Sequence, residues 1–379
     1  MIRLLTNFRG SLGSPLILAF FAVLFSTASA NAGSILITSL TDLGPGIVPN
    51  AINNVGQVVG QNASGQAFLW QAGTMTPLGT LGGSQSMAND INDNGVVVGW
   101  AYDVAEKQKA FKWNGVMVNL DSGTTTSSAA EAINRNGDIV GWEQNVTYTS
   151  TAWYGGVSNG VSLFVGANSK AFGINSRGEV VGVAIDYQGL LFHAGEIGYY
   201  WNGKNSGSGS IFSLYWDDPF LDDRYLPYAG INENGTSGGI GISDRYGQTF
   251  DRCKVTVGGN TALTETAGAI SRGYANEAKG LNNHDYLAGQ LGGYAYITRF
   301  DGPSYSAKFS PPCLPFSQLT SANDINDNGM VVGVGLIDGV QHGFVAQIMI
   351  VPEPSMPVLL TTLLAVAACF WTVTGHGCR

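Results

Sequence analysis

The chain has 379 residues, of which 53 are glycine and only 12% are charged, and its formal net charge is −9. It lacks the clusters of lysine and arginine that neutralise phosphates, so the composition argues against a nucleic-acid partner. A thinly charged, acidic surface is compatible with solubility or with divalent cations.

The N-terminus predicts export. Arg3 and Arg9 flank a polar lead, residues 15–25 are apolar, and Ala28-Ser29-Ala30 offers a small-residue cleavage site before Asn31. Because the apolar stretch is too short for a membrane span, residues 1–30 are predicted to be a signal peptide. Cleavage before Gly33 fits the pattern nearly as well.

One phrase, I-N-x-x-G-x-V-V-G, recurs through the body of the chain and indicates a repeat architecture. The spacings between successive copies are 39, 42, 41, 57, 50 and 44 residues. The sixth copy is degenerate, and the seventh is nearly identical to the second. The copies begin at Ile52, Ile91, Ile133, Ile174, Ile231, Leu281 and Ile325.

The second copy shows what each repeat should form. Apolar segments at residues 86–92, 96–100, 109–113 and 116–120 are separated by Asp93-Asn94-Gly95, by a loop at 102–108 and by Asn114-Gly115. Asn-Gly between apolar runs predicts a tight hairpin in which both turn residues adopt positive φ. Each repeat is therefore predicted to be four short antiparallel strands.

A four-stranded unit every 40 to 45 residues is the spacing of a propeller blade, so the sequence predicts an all-β seven-bladed β-propeller over residues 31–350. The last repeat lacks an outer strand, and residues 35–43 are predicted to supply it, which would remove exposed sheet edges. An open β-solenoid is the structural alternative. Four tryptophans, predicted to share one core position, are Trp70, Trp113, Trp153 and Trp201.

The phrase is followed in several repeats by A-F-x-W, as in Ala67–Trp70 and Ala110–Trp113. This combination resembles the HAF-repeat family of bacterial extracellular proteins, although Gln66, Lys109 and Thr151 stand where most members have histidine. The resemblance implies an exported β-repeat protein, and the family has no settled biochemical activity to carry over.

The C-terminus, residues 351–379, has three parts. VPEPS is followed by an apolar run at 358–373 and by a short tail ending in Arg379. This order resembles the PEP-CTERM sorting signal of Gram-negative bacteria, which an exosortase reads. The resemblance implies that Pro352, Glu353 and Pro354 are recognition residues and that a transmembrane helix at about 356–373 holds the protein in the inner membrane during sorting. Delivery to the cell surface or extracellular matrix would follow; a plain membrane anchor is the alternative.

Two copies of the phrase match the first half of a calcium loop, D-x-[DN]-x-[DN]-G. The acid expected at the twelfth position is absent, because Ala101 and Gly335 stand there. A hairpin turn explains the same residues in all seven repeats. The candidate calcium ligands are Asp90, Asn92, Asn94, Asp324, Asn326 and Asn328.

An insertion in the fourth repeat interleaves acids with aromatic residues, a combination that suits carbohydrate because rings stack on sugar faces and carboxylates accept hydroxyl donors. Paired carboxylates at suitable separation could also cleave a glycosidic bond. A solvated loop is the simpler interpretation. The candidate ligand-binding residues are Trp216, Asp217, Asp218, Asp222, Asp223 and Tyr225.

No residue pattern indicates a catalytic nucleophile, and no catalytic residue is assigned. Cys253 and Cys313 could form a disulfide in an oxidising compartment. The sequence therefore predicts an exported, surface-anchored, non-enzymatic protein associated with extracellular matrix or exopolysaccharide. The alternatives are a polysaccharide-active enzyme using residues 217–223 and a calcium-stabilised adhesion module.

Overall fold

The computed structural model describes residues 34–121, 125–146, 150–155, 161–162, 168–185, 196–202, 211–214, 224–226, 230–243, 248–250, 253–256, 263–265, 277–299, 307–308 and 315–351. The chain divides into Ile35–Met349 and a unit made of Met1–Ser34 with Ile350–Arg379. The predicted signal peptide, residues 352–354 and the predicted helix at 356–373 lie outside the described residues. No helix among the described residues is long and apolar enough to cross a membrane.

Within Ile35–Met349 the described residues form strands, turns and loops, which confirms the all-β prediction. Successive strands pair antiparallel in small sheets, and each sheet corresponds to one copy of the repeat or to part of one. The strands of the first four repeats, preceded by β1 (Ser34–Pro45), are β2 (Val48–Ile52), β3 (Val58–Gln61), β4 (Ala67–Gln71), β5 (Thr74–Gly79), β6 (Gly82–Ile91), β7 (Val97–Asp103), β8 (Gln108–Trp113), β9 (Met117–Asn119), β10 (Ser127–Ile133), β11 (Ile139–Gln144), β12 (Ser150–Tyr154), β13 (Val161–Ser162), β14 (Asn168–Ile174), β15 (Val180–Ile185), β16 (Glu196–Trp201) and β17 (Ile211–Leu214).

The last three repeats follow the same plan with one irregularity. Their strands are β18 (Arg224–Leu226), β19 (Thr236–Ser237), β20 (Ile240–Ser243), β21 (Gln248–Phe250), β22 (Cys253–Thr256), β23 (Leu263–Glu265), β24 (Glu277–Leu281), β25 (Tyr286–Leu291), β26 (Tyr294–Arg299), β27 (Ala307–Lys308), β28 (Gln318–Ile325), β29 (Met330–Ile337) and β30 (Val340–Val351). The fifth repeat is split into two three-stranded sheets, β18-β20-β21 and β19-β22-β23. An isolated antiparallel bridge pairs Ile231 with Ser237, the last residue of β19.

The second repeat confirms the predicted four strands in detail. The sheet runs β6-β7-β8-β9, and the ends of its strands differ from those of the predicted segments by only a few residues. The turn chemistry differs from the prediction, because Gly95 has φ of 76° while Asn94 is absent from the positive-φ residues. The backbone N–H of Gly95 donates to the carbonyl of Asn92, and the N–H of Asn92 donates to the carbonyl of Val96. This is a three-residue hairpin loop that needs only one left-handed position, not two.

The N-terminal strand β1 completes the sheet of the seventh repeat, in the order β1-β30-β29-β28, as predicted for residues 35–43. The Thr38 hydroxyl donates to the carbonyl of Gln347 at 3.2 Å, and His342 Nδ1 lies 2.9 Å from Asp42 Oδ1. The sheet therefore combines the first described strand with the last three.

The two valines of the phrase explain how neighbouring sheets stack. Val58 packs with Val332 and Val345 of the seventh repeat, whereas Val59 packs with residues of the second repeat, including Val97. Because successive side chains of a strand point to opposite faces, adjacent valines bury both faces of one sheet. Equivalent clusters join the second repeat to the third, the third to the fourth and the sixth to the seventh.

The final glycine of the phrase lies opposite a buried aromatic residue on the next strand. A Cβ on Gly141 would lie 2.0 Å from the Ala129 carbonyl oxygen and 2.8 Å from Cζ2 of Trp153, so no larger residue fits. The pairs in six repeats are Gly60–Phe68, Gly99–Phe111, Gly141–Trp153, Gly182–Tyr199, Gly289–Tyr296 and Gly333–Phe344.

The prediction that four tryptophans share one position is wrong for Trp153. Trp70, Trp113 and Trp201 pair with the first valine of their repeats, whereas Trp153 pairs with the glycine. Trp153 therefore takes the position of the phenylalanine in the A-F motif, two residues before the position that the other three tryptophans share.

Candidate functional site

The asparagine of the phrase links each repeat to the next. Its side-chain oxygen accepts N–H groups from its own turn, as Asn326 Oδ1 does from Asn328 and Met330 at 3.0 and 2.8 Å. Its side-chain nitrogen donates to the backbone carbonyl of the equivalent asparagine one repeat further on. All seven side chains are at least 94% buried, so each of these polar groups needs the partner it has.

The seven bonds between repeats form an unbroken series. Their lengths lie between 2.9 and 3.2 Å, and the seventh runs from Asn326 Nδ2 back to the carbonyl of Asn53 in the first repeat. The donors in chain order are Asn53, Asn92, Asn134, Asn175, Asn232, Asn282 and Asn326.

Three residues before each of these asparagines, the first strand of the repeat carries a β-bulge in six repeats. The extra residue has no partner in the register, and such bulges re-aim a side chain away from the regular pleat. The bulge residues are Asn50, Asn89, Glu131, Phe172, Lys279 and Asn323.

All six bulge residues line one cavity of about 540 Å³, to which all seven repeats contribute. We call it the seven-repeat cavity. Its lining consists of the bulge residues and the residues of the adjoining turns. Its charged residues are six acids and one lysine: Asp90, Asp93, Glu131, Glu233, Asp324, Asp327 and Lys279. The lining is therefore polar and acidic.

Asp90 and Asp324 occupy the same position in the second and seventh repeats and make the same contacts. Asp324 Oδ2 accepts the N–H of Ile52 in the first repeat at 2.9 Å, and its Oδ1 accepts the N–H of Ile325 at 2.8 Å. Asp90 likewise accepts from Ile133 and Ile91, at 2.8 and 2.7 Å. Each carboxyl group therefore connects two repeats.

Burial raises the pKa of both carboxyl groups. Desolvation raises the pKa of Asp90 to about 6 against the backbone hydrogen bonds, which lower it. Desolvation, with smaller contributions from the charges of Asp90 and Asp327, raises the pKa of Asp324 to about 7 against the backbone hydrogen bonds from Ile52 and Ile325, which lower it. The two groups therefore titrate near neutral pH, well above the ordinary range of an aspartate.

Glu131 is held in place by neighbouring side chains. Its Oε1 accepts the indole N–H of Trp142 at 2.7 Å, and its Oε2 accepts an amide N–H of Asn89 at 3.0 Å. Lys170 lies with its Nζ 4.3 Å from the centre of the Trp142 ring. Burial raises the pKa of Glu131, while the Trp142 hydrogen bond and the charge of Lys170 lower it.

Neighbouring repeats lie very close together at the residue before the isoleucine of the phrase. The side chain at that position must therefore be small or hydrogen-bonded to the neighbouring repeat. A Cβ on Gly173 would lie 2.5 Å from the Gly230 Cα. A Cβ on Gly280 would lie 2.5 Å from the Asp324 Cα. The cavity wall is therefore tightly packed backbone between the bulges.

The candidate calcium ligands lie in the turns and in the links between repeats. The Oδ1 atoms of Asn92 and Asn326 accept backbone N–H groups of their own turns. Asn94 donates to the Arg135 carbonyl of the third repeat, and Asn328 donates to the Asn54 carbonyl of the first. These contacts match the turn interpretation, and no group of three His, Cys, Asp or Glu side chains suited to a metal occurs in the described residues. The calcium site stays a prediction.

The predicted acidic-aromatic loop cannot be placed. Trp216, Asp217, Asp218, Asp222 and Asp223 lie outside the described residues, and of Tyr225 the structure gives only its backbone on β18. Cys253 begins β22, while its predicted disulfide partner Cys313 also lies outside the described part.

The sequence reasoning missed the seven-repeat cavity because it treated the residues around the phrase isoleucine as an ordinary strand. The signal was present, however. The triplets ending at the isoleucine vary at their first residue while the asparagine that follows never changes, as in Asn-Asp-Ile, Glu-Ala-Ile, Phe-Gly-Ile and Lys-Gly-Leu.

Comparison with known proteins adds little. No family model and no curated protein matches the chain. A solved structure, a triple arginine-to-alanine mutant of AofleA from Arthrobotrys oligospora, shares 10% identity with a TM-score of 0.32, covering 86% of this chain and 92% of that one. The chain is therefore interpreted from its own residues.

Proposed function

We propose that the seven repeats form a closed seven-bladed β-propeller. The hydrogen bond from Asn326 to the Asn53 carbonyl supports closure, as does the packing of Val332 and Val345 against Val58. The pairing of β1 with β30 supports it too, because a strand shared between the chain ends holds the first and last repeats together. An open solenoid would leave its terminal repeats without such contacts.

We propose further that this propeller is an exported, surface-anchored binding protein of the extracellular matrix, with exopolysaccharide as its partner. The observation that carries the binding role is the seven-repeat cavity. Its volume of about 540 Å³ lies in the range of small-ligand sites, and polar groups from every repeat line it. Amides and carboxylates are groups that hydrogen-bond sugar hydroxyls. The leader at 1–30 and the sorting signal at 351–379 supply the route to the surface.

The binding role is tested by incubating the mature protein with a glycan array and with exopolysaccharide from an exosortase-bearing bacterium. Binding without release of reducing ends is expected. Release of reducing ends would instead favour the polysaccharide-active enzyme, and loss of that activity in Asp217→Asn and Asp222→Asn would assign it to the inserted loop.

The sorting role is tested by mass spectrometry of the C-terminus of the protein recovered from its native envelope. Loss of the residues after the VPEPS segment is expected if an exosortase-type enzyme processes the chain. An intact Arg379 would make residues 351–379 a simple anchor.

A further inference from the structure

The six bulge residues fall into two groups with different uses. The amides of Asn323, Asn50 and Asn89 donate to carbonyls of the next repeat, those of Pro49, Ala88 and Ala130, at 2.7 to 2.9 Å. These three asparagines come from consecutive repeats, the seventh, first and second. Their side chains are therefore part of the links between repeats and are poorly available to a ligand.

The other three bulge residues, Glu131, Phe172 and Lys279, replace that amide with a carboxyl group, an aromatic ring and an ammonium group. All three line the cavity, and none of them is required by the repeat pattern, which tolerates asparagine at the same position. Variation at equivalent positions of one cavity is how a repeated scaffold acquires a specific site.

Glu131 and Phe172 stand on the third and fourth repeats, which are neighbours. The carboxyl group of Glu131 is fixed by Trp142 and Asn89, so it presents its remaining acceptor capacity in one orientation. Phe172 is half-buried and is one of the residues that line the cavity. A fixed carboxyl group beside an aromatic surface suits a ligand with a polar edge and an apolar face, which is the character of a pyranose ring.

The net charge of the cavity lining determines whether a cationic, neutral or anionic sugar binds best. Six acids line the cavity against one lysine, and two of the six, Asp90 and Asp324, carry only part of their charge near neutral pH because their pKa values are raised. Acidic residues still outnumber the lysine, so a ligand with a positive charge gains electrostatic energy that a neutral one does not. An anionic sugar would be repelled by most of the wall. The combination of an aromatic ring, fixed hydrogen-bond acceptors and net negative charge matches a sugar that carries a free amine.

We propose that the seven-repeat cavity binds a protonated amino-sugar unit of a polysaccharide, with Glu131 pairing with the amine and Phe172 packing on the ring. This inference rests on the proposed carbohydrate-binding function and names its ligand class and site. Lys279 opposes the charge of the ligand and limits its affinity.

The experiment is isothermal titration of the mature protein with a glucosamine oligomer and with the matched N-acetylglucosamine oligomer. The two probes differ in the charge of the amine, which acetylation removes. We expect the free-amine oligomer to bind at least tenfold more tightly, and increased ionic strength to narrow the difference. Equal affinity for the two probes would overturn the charge assignment.

Three variants locate the site. Glu131→Gln should weaken binding of the glucosamine oligomer about tenfold or more, and Lys279→Gln should strengthen it about threefold, because the two substitutions remove charges of opposite sign. Glu143→Gln, a matched change on β11 outside the cavity lining, should leave binding unchanged. If Glu131→Gln does not fold, the gain in Lys279→Gln still decides the question, since a loss or no change there refutes the proposal.

The outcomes also separate this inference from the broader function. Polysaccharide binding that is the same in all three variants would refute the cavity assignment and leave the proposed binding function intact. Absence of binding to any glycan, with folding confirmed by circular dichroism, would refute both.

Discussion

Two nearby positions at the end of the first strand of each repeat differ in how much their side chains vary. We call the seven asparagines of the phrase the turn layer, and the bulge residues three positions earlier the bulge layer. In the turn layer, the phrase asparagine is present in all seven repeats and makes one and the same contact with the following repeat. In the bulge layer, three residues earlier, the side chain changes from amide to carboxyl, aromatic or ammonium. The comparison teaches that the repeated positions hold the repeats together, while the varied positions differ in the chemistry they offer to the cavity.

The largest effect is expected from a glycine that the repeated framework requires. Gly141→Ala would place a Cβ against the Ala129 carbonyl and the Trp153 ring, and we expect a loss of about 3 kcal/mol or more in the free energy of unfolding. The measurement is urea unfolding followed by tryptophan fluorescence. Gly115→Ala is the control, because its φ is 82° but nothing lies within 4 Å, so only about 1 kcal/mol of backbone strain is expected. Equal losses would mean that the aromatic contact does not constrain the glycine.

The next effect tests the turn layer directly. Asn175→Ala removes the bond to the Asn232 carbonyl and leaves the N–H groups of Arg177 and Glu179 without their acceptor, so a loss of about 2 to 3 kcal/mol is expected. Thermal unfolding measures the loss. Asn114→Ala, at an exposed hairpin turn, should change the free energy of unfolding by no more than about 0.5 kcal/mol. If the two variants were equally stable, the asparagine links would not hold the repeats together.

Most of the turn layer could be predicted from the sequence, because repetition displays what each repeat requires. The seven copies of the phrase gave the repeat boundaries, the four strands and the outer strand supplied by residues 35–43. The reason for each phrase residue could not be predicted in the same way. Asn92 was predicted to end a strand and to be a candidate calcium ligand, whereas its amide nitrogen donates to a carbonyl 42 residues away. A contact between repeats has no local signature.

The bulge layer was missed for a different physical reason. A β-bulge adds only one residue to a strand. The segment Ala88–Ile91 is also compatible with a regular strand, so its apolar pattern does not reveal the bulge. Asp90 was recognised as a special residue, but as a calcium ligand; in the structure its carboxyl group accepts two backbone N–H groups. The missing information is the position of the neighbouring repeat, which supplies the second N–H.

A pH titration of stability probes both layers, because Asp90 and Asp324 lie in the chain between the bulge residue and the asparagine of the phrase. Their pKa values are raised to about 6 and 7 by burial, above the ordinary value of 3.8 in the unfolded chain. The folded protein therefore binds more protons than the unfolded chain between about pH 4 and 7. The stabilisation from protonation is complete below the unfolded pKa and is lost as the pH rises through 6 to 7.

We expect the free energy of unfolding to fall by about 1 to 3 kcal/mol between pH 5 and pH 8. The measurement is urea unfolding at a series of pH values at constant ionic strength. Asp324→Asn should flatten much of this dependence, since the amide cannot ionise. Asp103→Asn, at the end of β7 where the carboxyl group accepts the backbone N–H groups of Ala105 and Lys107, is the control and should preserve the slope. A stability that rises with pH over this interval would contradict the assigned shifts.

The smallest effects distinguish the two kinds of bulge residue from each other. Asn89→Ala loses the bond to the Ala130 carbonyl and the contact with Glu131, so a loss of about 1 kcal/mol is expected. Lys279→Gln should change stability by no more than about 0.5 kcal/mol, because the lysine is exposed and its Nζ lies 3.4 Å from Asn323 Oδ1. Differential scanning calorimetry of both variants beside the unsubstituted protein resolves the difference. A lysine variant as unstable as the asparagine variant would show that the whole bulge layer serves the fold. If Lys279→Gln leaves stability unchanged while Asn89→Ala lowers it, the asparagines of the bulge layer form the links between repeats. The other bulge residues then determine what the cavity accepts.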